Sequence, residues 1–442
     1  MLTESLENPT SFEDLQLLVP LLQAVSKLGY EKPTPVQLEA IPPALKQLDL
    51  LVSAETGSGK TAAFLLPTLQ HLLNVPPSRR GARVLILTPT RELAQQILQN
   101  CQQLAEFTNL TAGLITGGDD FKRQQNLFRK NTDIVIATPG RLLELMALDT
   151  PYLSSVEVLI LDEADRMLDM GFREDVLNIV KHCSNEERQT LLFSATLTHF
   201  GVIKIADQVL KNPKTVALNT LHDGHSNIEQ QVILADHNEH KQKLLAWLLQ
   251  NQPYDKALIF TNSRIQAVEL GNYLQQHDCR VASLHGEMEQ KERNRVMGLF
   301  RSGSVNVMTA TDLAARGLDI SGINLVVNFD VPRNGINYIH RIGRSGRADE
   351  QGVAISLVKH TEWNLMASIE RFLKQNFTRR TVEGLIGSYK GPKKVKGSGK
   401  AAGSKEKIEP KKEPAKKVKI RDRDKKNIGK RRVPTIKAVE ES

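Results

Sequence analysis

The chain has 442 residues, enough for two or three domains at roughly 100 to 200 residues each, every one able to bury its own core. Its 40% hydrophobic and 25% charged residues exclude a wholly disordered or collagen-like chain, and the lack of any 18-residue apolar run excludes a helical membrane span. The net charge of +9 is unevenly spread: residues 1–390 hold 40 Lys+Arg against 43 Asp+Glu, whereas residues 391–442 hold 19 against 7.

Met1 to Thr10 carries acids and a proline where a secretory leader would carry bases and an apolar stretch, so no signal segment is expected. From there the chain alternates short Val-, Ile- and Leu-rich runs with helix-compatible stretches. The first series of runs is Asp49 to Ser53, Arg83 to Leu87, Ala112 to Thr116, Asp133 to Ala137, Val156 to Leu161 and Thr190 to Ser194. Between them lie turn signals or helical stretches such as Arg91 to Leu104, the sequence form of βαβ units and a parallel sheet. The stretch Asn212 to Asn227, with Pro213 and Gly224, reads as a linker. A second series follows: Gln230 to Leu234, Ala257 to Thr261, Arg280 to Leu284, Val305 to Thr309, Leu325 to Phe329 and Gly352 to Val358. The expected division is a first α/β lobe at 1–215, a linker at 216–228, a second lobe at 229–375, a connecting segment at 376–390 and a basic tail at 391–442. The tail has almost no large apolar residues and cannot offset its ordering entropy, so a disordered polycation is expected there. Such a tail would bind polyanions in a salt-dependent way; its composition also suits a solubility tail or a protein-binding segment. Cys101, Cys183 and Cys279 stand far apart and fit neither a disulfide framework nor a zinc site, which points to a reducing, cytoplasmic setting.

Two segments of the first lobe carry chemistry. Ala54 to Thr61, AETGSGKT, follows a strand and opens a helix. A glycine-rich turn there, through Gly57, Ser58 and Gly59, lets backbone N–H groups surround a phosphate, with Lys60 reaching the outer phosphates and the Thr61 hydroxyl on Mg²⁺. Without its strand and helix context the same string could be a flexible surface turn. In VEVLILDEAD, Asp162, Glu163 and Asp165 follow an apolar strand, at the edge where open α/β sheets bind ligands. An acid opposite a phosphate loop can hold magnesium and its neighbour can orient water; the alternative is a solvated acidic turn. In the second lobe HRIGRSGR spaces Arg341, Arg344 and Arg347 three apart, one face of a helix that either awaits an anion or is simply solvated.

In its motifs the chain resembles the DEAD-box ATP-dependent RNA helicases, over nearly all of residues 12 to 358. Besides the two strings above, the resemblance rests on PTREL (Pro89 to Leu93), Gly117 and Gly118, TPGR (Thr138 to Arg141), SAT (Ser194 to Thr196), LIFTNS (Leu258 to Ser263), ATDLAARGLD (Ala310 to Asp319) and HRIGRSGR (His340 to Arg347), all in the family's order. It implies two tandem RecA-like domains, each a parallel sheet flanked by helices, with ATP and Mg²⁺ bound between them. It also implies that Phe12, Tyr30 and Gln37, in and before GYEKPTPVQ, take the adenine. Gln37 can donate and accept at once, as an adenine edge requires; on residues alone this string is a Pro-broken turn with Tyr30 in the core. By resemblance Arg344 and Arg347 are arginine fingers, Asp319 takes the ribose, and Asp165, Ser194, Thr196 and His340 couple hydrolysis to unwinding. Pro89, Thr90, Arg91, Gly118, Thr138, Arg141, Ser263, Arg264, Gly286, Arg293 and Thr311 would line an RNA groove that grips the sugar-phosphate backbone without reading bases. The tail's RDRDKKNIGKRR resembles a bacterial type of the family that assists large ribosomal subunit assembly, which implies ribosomal RNA, pre-ribosomal particles and ribosomal proteins as partners of a monomeric core. RNA decay or cold-adapted translation, and in another class an ATP-gated structural RNA clamp, are the alternatives.

Overall fold

In the computed structural model the described residues are 10–54, 57–76, 81–118, 120–129, 132–148, 153–195, 197, 200–218, 227–315, 322–345, 351–392, 399 and 401. The first lobe holds β1 (Leu50–Ser53), β2 (Val84–Leu87), β3 (Ala112–Ile115), β4 (Ile134–Ala137), β5 (Val158–Leu161), β6 (Gln189–Ser194) and β7 (Lys214–Ala217). The second holds β8 (Ile228–Leu234), β9 (Lys256–Thr261), β10 (Val281–Leu284), β11 (Val307–Thr311), β12 (Ile323–Asn328), β13 (Gly352–Val358) and β14 (Thr378–Arg380). Every pairing in both sheets is parallel. The strand orders, β3-β4-β2-β5-β6-β1-β7 and β10-β11-β9-β12-β13-β8-β14, are the same once the second lobe is counted from β8. Two copies of one doubly wound α/β topology therefore follow one another, as the alternation of strands and helices leads one to expect.

Central strands such as VLIL and IVIA are apolar at every position because both faces of the sheet are covered. Alternation still sorts the side chains: Val84 and Ile86 join the layer with Phe64, Leu66 and Ile97, whereas Leu85 and Leu87 join the opposite layer with Leu142, Val176 and Val202. The two strands absent from the sequence expectation, β7 and β14, are both seventh in their sheets and hydrogen-bonded on one side only. Their sequences, KTVA and TRR, hold no apolar run, and Val216 alone among them is buried, because an edge strand faces water. They also move the element boundaries. β7 runs to Ala217, two residues into the expected linker; β8 starts at Ile228; and β14 places part of the 376–390 segment within the second sheet. Residues 219–226 of the linker and 402–442 of the tail lie outside the described residues. The tail's first residues are in part packed: Trp363 Nε1 donates to the Gly399 carbonyl at 3.1 Å and the Ala401 N–H donates to Asn364 at 2.8 Å. Among the described residues no helix is long and apolar enough to cross a membrane.

Parallel strands bring their C-terminal ends to one edge, so the turns after β1, β2, β4, β5 and β6, and after β9, β10 and β11 in the other lobe, carry nearly all the residues singled out above.

Candidate functional site

A cleft of about 630 Å³ lies between the lobes. Its walls include Tyr30, Thr34, Gln37, Gly57, Gly59, Lys60, Thr61, Asp162 and Glu163 from the first lobe and Arg344 from the second. Sequence distance is no guide here: Arg344 arrives from the end of a helix, Gly335–Ile342, that belongs to the other sheet.

The glycines are required by geometry. Gly57 and Gly59 have φ of +86° and +91°, a region that L side chains rarely adopt. A Cβ at Gly59 would fall 2.7 Å from both Gln37 Nε2 and Thr34 Oγ1. The Gln37 amide is itself pinned: its Oε1 accepts from the Thr34 N–H at 2.9 Å and its Nε2 donates to the Gly59 carbonyl at 3.1 Å. The start of helix Pro35–Leu45 is thus clamped to the turn that opens helix Lys60–Asn74. Ala54 is buried behind that turn, its N–H donating to the Ser194 carbonyl at 3.1 Å, and Ser58 is half-buried within it.

Lys60 has an exposure of 7%, and its ammonium has no hydrogen-bond partner. A buried cation without a hydrogen bond is costly, and an anion in the cleft would relieve it. Across from it, burial pushes the Asp162 carboxyl up to about 6, against the pull of Lys60 and with the repulsion of Glu163. Asp162 accepts the Glu163 N–H at 2.9 Å, and Glu163 pairs with Arg166 at 2.8 Å. Glu163 stands at φ +52°, ψ +49°, an arrangement that costs a non-glycine residue about 1 kcal/mol. Held that way, its carboxylate sits on the cleft wall. Asp165 is raised too, first by burial, with Arg166 opposing. Its Oδ2 lies 3.6 Å from His340 Nε2 of the second lobe, so this pair spans the gap between lobes. Asp162 and Thr61 suit a divalent cation, while among the described residues no cluster of three or more His, Cys, Asp or Glu could hold a metal by protein groups alone. A Mg²⁺ ion at this cleft would complete its shell with phosphate oxygens and water, which is its usual habit.

Three of the expected residues stand in settings that the sequence does not show. Phe12 is 3% exposed and packs behind Tyr30, ring centroids 6.3 Å apart, so Tyr30 alone of the two rings stands on the wall. Arg341 does not share an open face with Arg344. The helix ends at Ile342, and Arg341 turns into its own lobe, donating to both Asp312 oxygens at 2.6 and 2.8 Å and to Asn262, Asn328 and the Asp330 carbonyl. Arg293, expected on an RNA groove, joins the lobes in this structure: it donates to Glu92 at 2.5 Å and to the Ala314 carbonyl at 2.7 Å. Thr196, Asp319 and Arg347 lie outside the described residues.

The other groove candidates line the strand ends. Thr90 and Ser263 cap helices Arg91–Leu104 and Arg264–Gln275, accepting the N–H groups of Leu93 and Gln266. Pro89 precedes the first cap, and Arg264, just after the second, pairs with Glu287. Arg91 donates to Gln290 of the other lobe at 3.2 Å and runs against Gly117 and Gly118, where a Cβ would fall 2.7 and 2.5 Å from its guanidinium nitrogens. Thr138 is buried after β4, Arg141 lies over the Phe121 ring at 4.7 Å, Gly286 abuts Leu313, and Thr311 closes β11. The sequence reading missed Gln96 and Asn100, which stand one helical turn apart on the cleft wall, and Glu92 and Gln290, which join the lobes. Amides at i and i+4 were the available signal for the first pair. Nothing local marks the second.

Residues 34–203 match the DEAD/DEAH box helicase model and residues 240–349 the helicase conserved C-terminal domain. The chain is 44% identical over 437 residues to ATP-dependent RNA helicase SrmB of Haemophilus influenzae, covering 97% of this chain and 99% of the relative. Its identity to the Escherichia coli protein of the same name is 43% over 387 residues, or 87% and 86% of the two chains. Among solved structures it resembles S. cerevisiae Dbp5 bound to RNA and ADP BeF3, with TM-score 0.77 and 32% identity over 84% of this chain and 96% of that one.

Proposed function

Because this chain belongs to the DEAD-box family of ATP-dependent RNA helicases, we propose that it unwinds short RNA duplexes locally, by an ATP hydrolysis that RNA stimulates, in assembly of the large ribosomal subunit. One observation carries the mechanism. The buried ammonium of Lys60 and the carboxylates of Asp162 and Glu163 from one lobe meet Arg344 from the other on the walls of a single cleft. Complete only when the lobes are together, the site makes triphosphate a clamp between them.

Gln37 and Tyr30 would take the base, the Gly57–Thr61 turn the phosphates, and Lys60 the outermost one. Magnesium, on Thr61 and Asp162, would neutralise charge on the phosphate oxygens. Glu163 orients the attacking water; as its oxygen bonds to the γ-phosphorus, the bond to the β–γ bridging oxygen breaks and a proton passes toward Glu163. Arg344 answers the charge that spreads over the γ-phosphoryl oxygens, and Arg347 is proposed beside it. His340 on Asp165, and Arg293 on Glu92, register whether the lobes are closed. Over both lobes, Thr90, Arg91, Gly118, Arg141, Ser263, Arg264 and Thr311 offer the hydroxyls, backbone amides and arginines that hold a phosphodiester backbone. The ribosomal assignment rests on the resemblance to the SrmB proteins.

Multiple-turnover phosphate release with and without RNA, paired with displacement of a short labelled strand, tests the activity. Absence of RNA stimulation would favour a clamp that rarely turns over, and equal stimulation by DNA would remove the RNA preference. In-cell crosslinking followed by sequencing of attached RNA tests the ribosomal task, which fails if ribosomal RNA is missing.

The raised Asp162 gives a further expectation. Its folded form binds a proton more tightly than the unfolded chain, so the metal-free protein loses stability as pH rises from about 4 through about 6. Asp162→Asn should therefore raise the melting temperature of metal-free protein at pH 7.5, with a gain that fades toward pH 4, while abolishing hydrolysis. A melting temperature unchanged at both pH values would contradict the burial argument.

Removing residues 402–442, which carry 15 Lys+Arg and 7 Asp+Glu, should weaken RNA binding and flatten its dependence on salt, with the saturating hydrolysis rate retained. Identical salt slopes for the two proteins would show that the tail is no tether.

A further inference from the structure

We propose that Gln124 is a positioning residue of the RNA groove, whose single side-chain amide holds two of its arginine sites in register. The inference rests on the reading of Arg91 and Arg141 as RNA contacts. Gln124 lies on helix Phe121–Arg129 and is 2% exposed, although its neighbours Lys122 and Arg123 are open to solvent. An amphipathic surface helix has no need to bury an amide, so the buried amide is held there by what it bonds.

Those bonds point in two directions. Its Nε2 donates to the Thr116 carbonyl at 2.7 Å, and its Oε1 accepts from Arg141 Nε at 3.0 Å. Thr116 leads directly into Gly117 and Gly118, the turn against which the Arg91 guanidinium lies. One carboxamide thus joins the support of Arg91 to the guanidinium of Arg141. The Phe121 ring lies 4.7 Å from Arg141, and Glu144 accepts from its Nη1 at 2.8 Å through a side chain 63% exposed. A phosphate can displace an exposed carboxylate such as Glu144 at little cost, since such pairs contribute little. The part-buried bond to Nε, made by a Gln124 side chain closed to solvent, persists and keeps the planar fork oriented, which makes bidentate recognition of a phosphate possible.

Only a carboxamide meets both demands. Glutamate would still accept from Arg141 but would set a carboxylate against the Thr116 carbonyl; methionine would fill the space and bond neither. No residue of the helix holding Gln124 is among the groove candidates of the sequence, where one Gln of the polar run Lys122 to Asn126 gives no local sign of its role.

The test compares Gln124→Met, Gln124→Glu and Arg141→Ala by the RNA concentration that half-saturates ATP hydrolysis, the salt dependence of RNA affinity, and melting temperature. Gln124→Met should raise half-saturating RNA about tenfold, with a smaller change in the saturating rate and a shallower salt slope. In an Arg141→Ala background its effect should shrink, because the group it orients is gone. Gln124→Glu should recover part of the loss by holding Arg141. An equal effect of Gln124→Met with and without Arg141, or a change in melting temperature alone, overturns the proposal. If Arg141→Ala itself leaves half-saturation and salt slope untouched, the reading of Arg141 as an RNA contact fails, and the proposal falls with it.

Discussion

Lys60→Ala should weaken ATP binding by about 100-fold or more and leave hydrolysis undetectable. The expected size follows from the buried state of the ammonium, which has no hydrogen-bond partner and acts electrostatically on Asp162 and Asp165. An interaction formed away from water is worth far more than one on the surface, so the phosphate that answers this cation gains most of what the substrate-free protein forgoes. Two readouts separate that account from simple misfolding. Without nucleotide, the variant should melt at or above the wild-type temperature, because a costly buried charge has been removed. With a non-hydrolysable ATP analogue, the wild type should gain several degrees and the variant none. Sustained turnover by Lys60→Ala would show that the Gly57–Thr61 turn is not the phosphate site.

Glu163→Gln should lower hydrolysis by about 10² to 10⁴ while ATP and RNA still bind, and the closed complex should persist. The substitution keeps size and shape, and its amide oxygen can still accept from Arg166, so the unusual backbone at this position is preserved. What it removes is the ability to take a proton from water. Because Asp165 and Glu92 reach the second lobe through His340 and Arg293 independently of that proton, closure should be unaffected. Following labelled RNA after addition of excess competitor checks this directly. Rapid release in the presence of ATP would contradict the role given to Glu163.

Much of this architecture was legible in the residue order because it is encoded locally. Runs such as VLIL and IVIA are apolar throughout since each strand is covered on both faces, and the turn after β1 announces itself through glycines that its backbone requires. The edge strands β7 and β14 escape that logic, although the opposite edges, β3 and β10, do not. KTVA and TRR meet water, so no apolar run marks them, and only pairing with β1 and β8 makes them strands. Spacing misled in another way at HRIGRSGR. Three arginines three apart share a face only while the helix lasts, and it stops at Ile342, sending Arg341 to Asp312 and Arg344 to the cleft. Phe12 is a similar case, since nothing in its spacing from Tyr30 tells which ring is in front.

From composition and order alone came two parallel α/β lobes, a glycine turn and an acidic strand end that suit phosphate and metal, and a basic tail, because each is written in neighbouring residues. Contacts between Arg293 and Glu92, His340 and Asp165, or Gln124 and Arg141 depend on how separately folded pieces are brought together. Packing of whole helices and lobes settles those distances, so side chains remote in the chain, and unremarkable in it, become partners only in three dimensions.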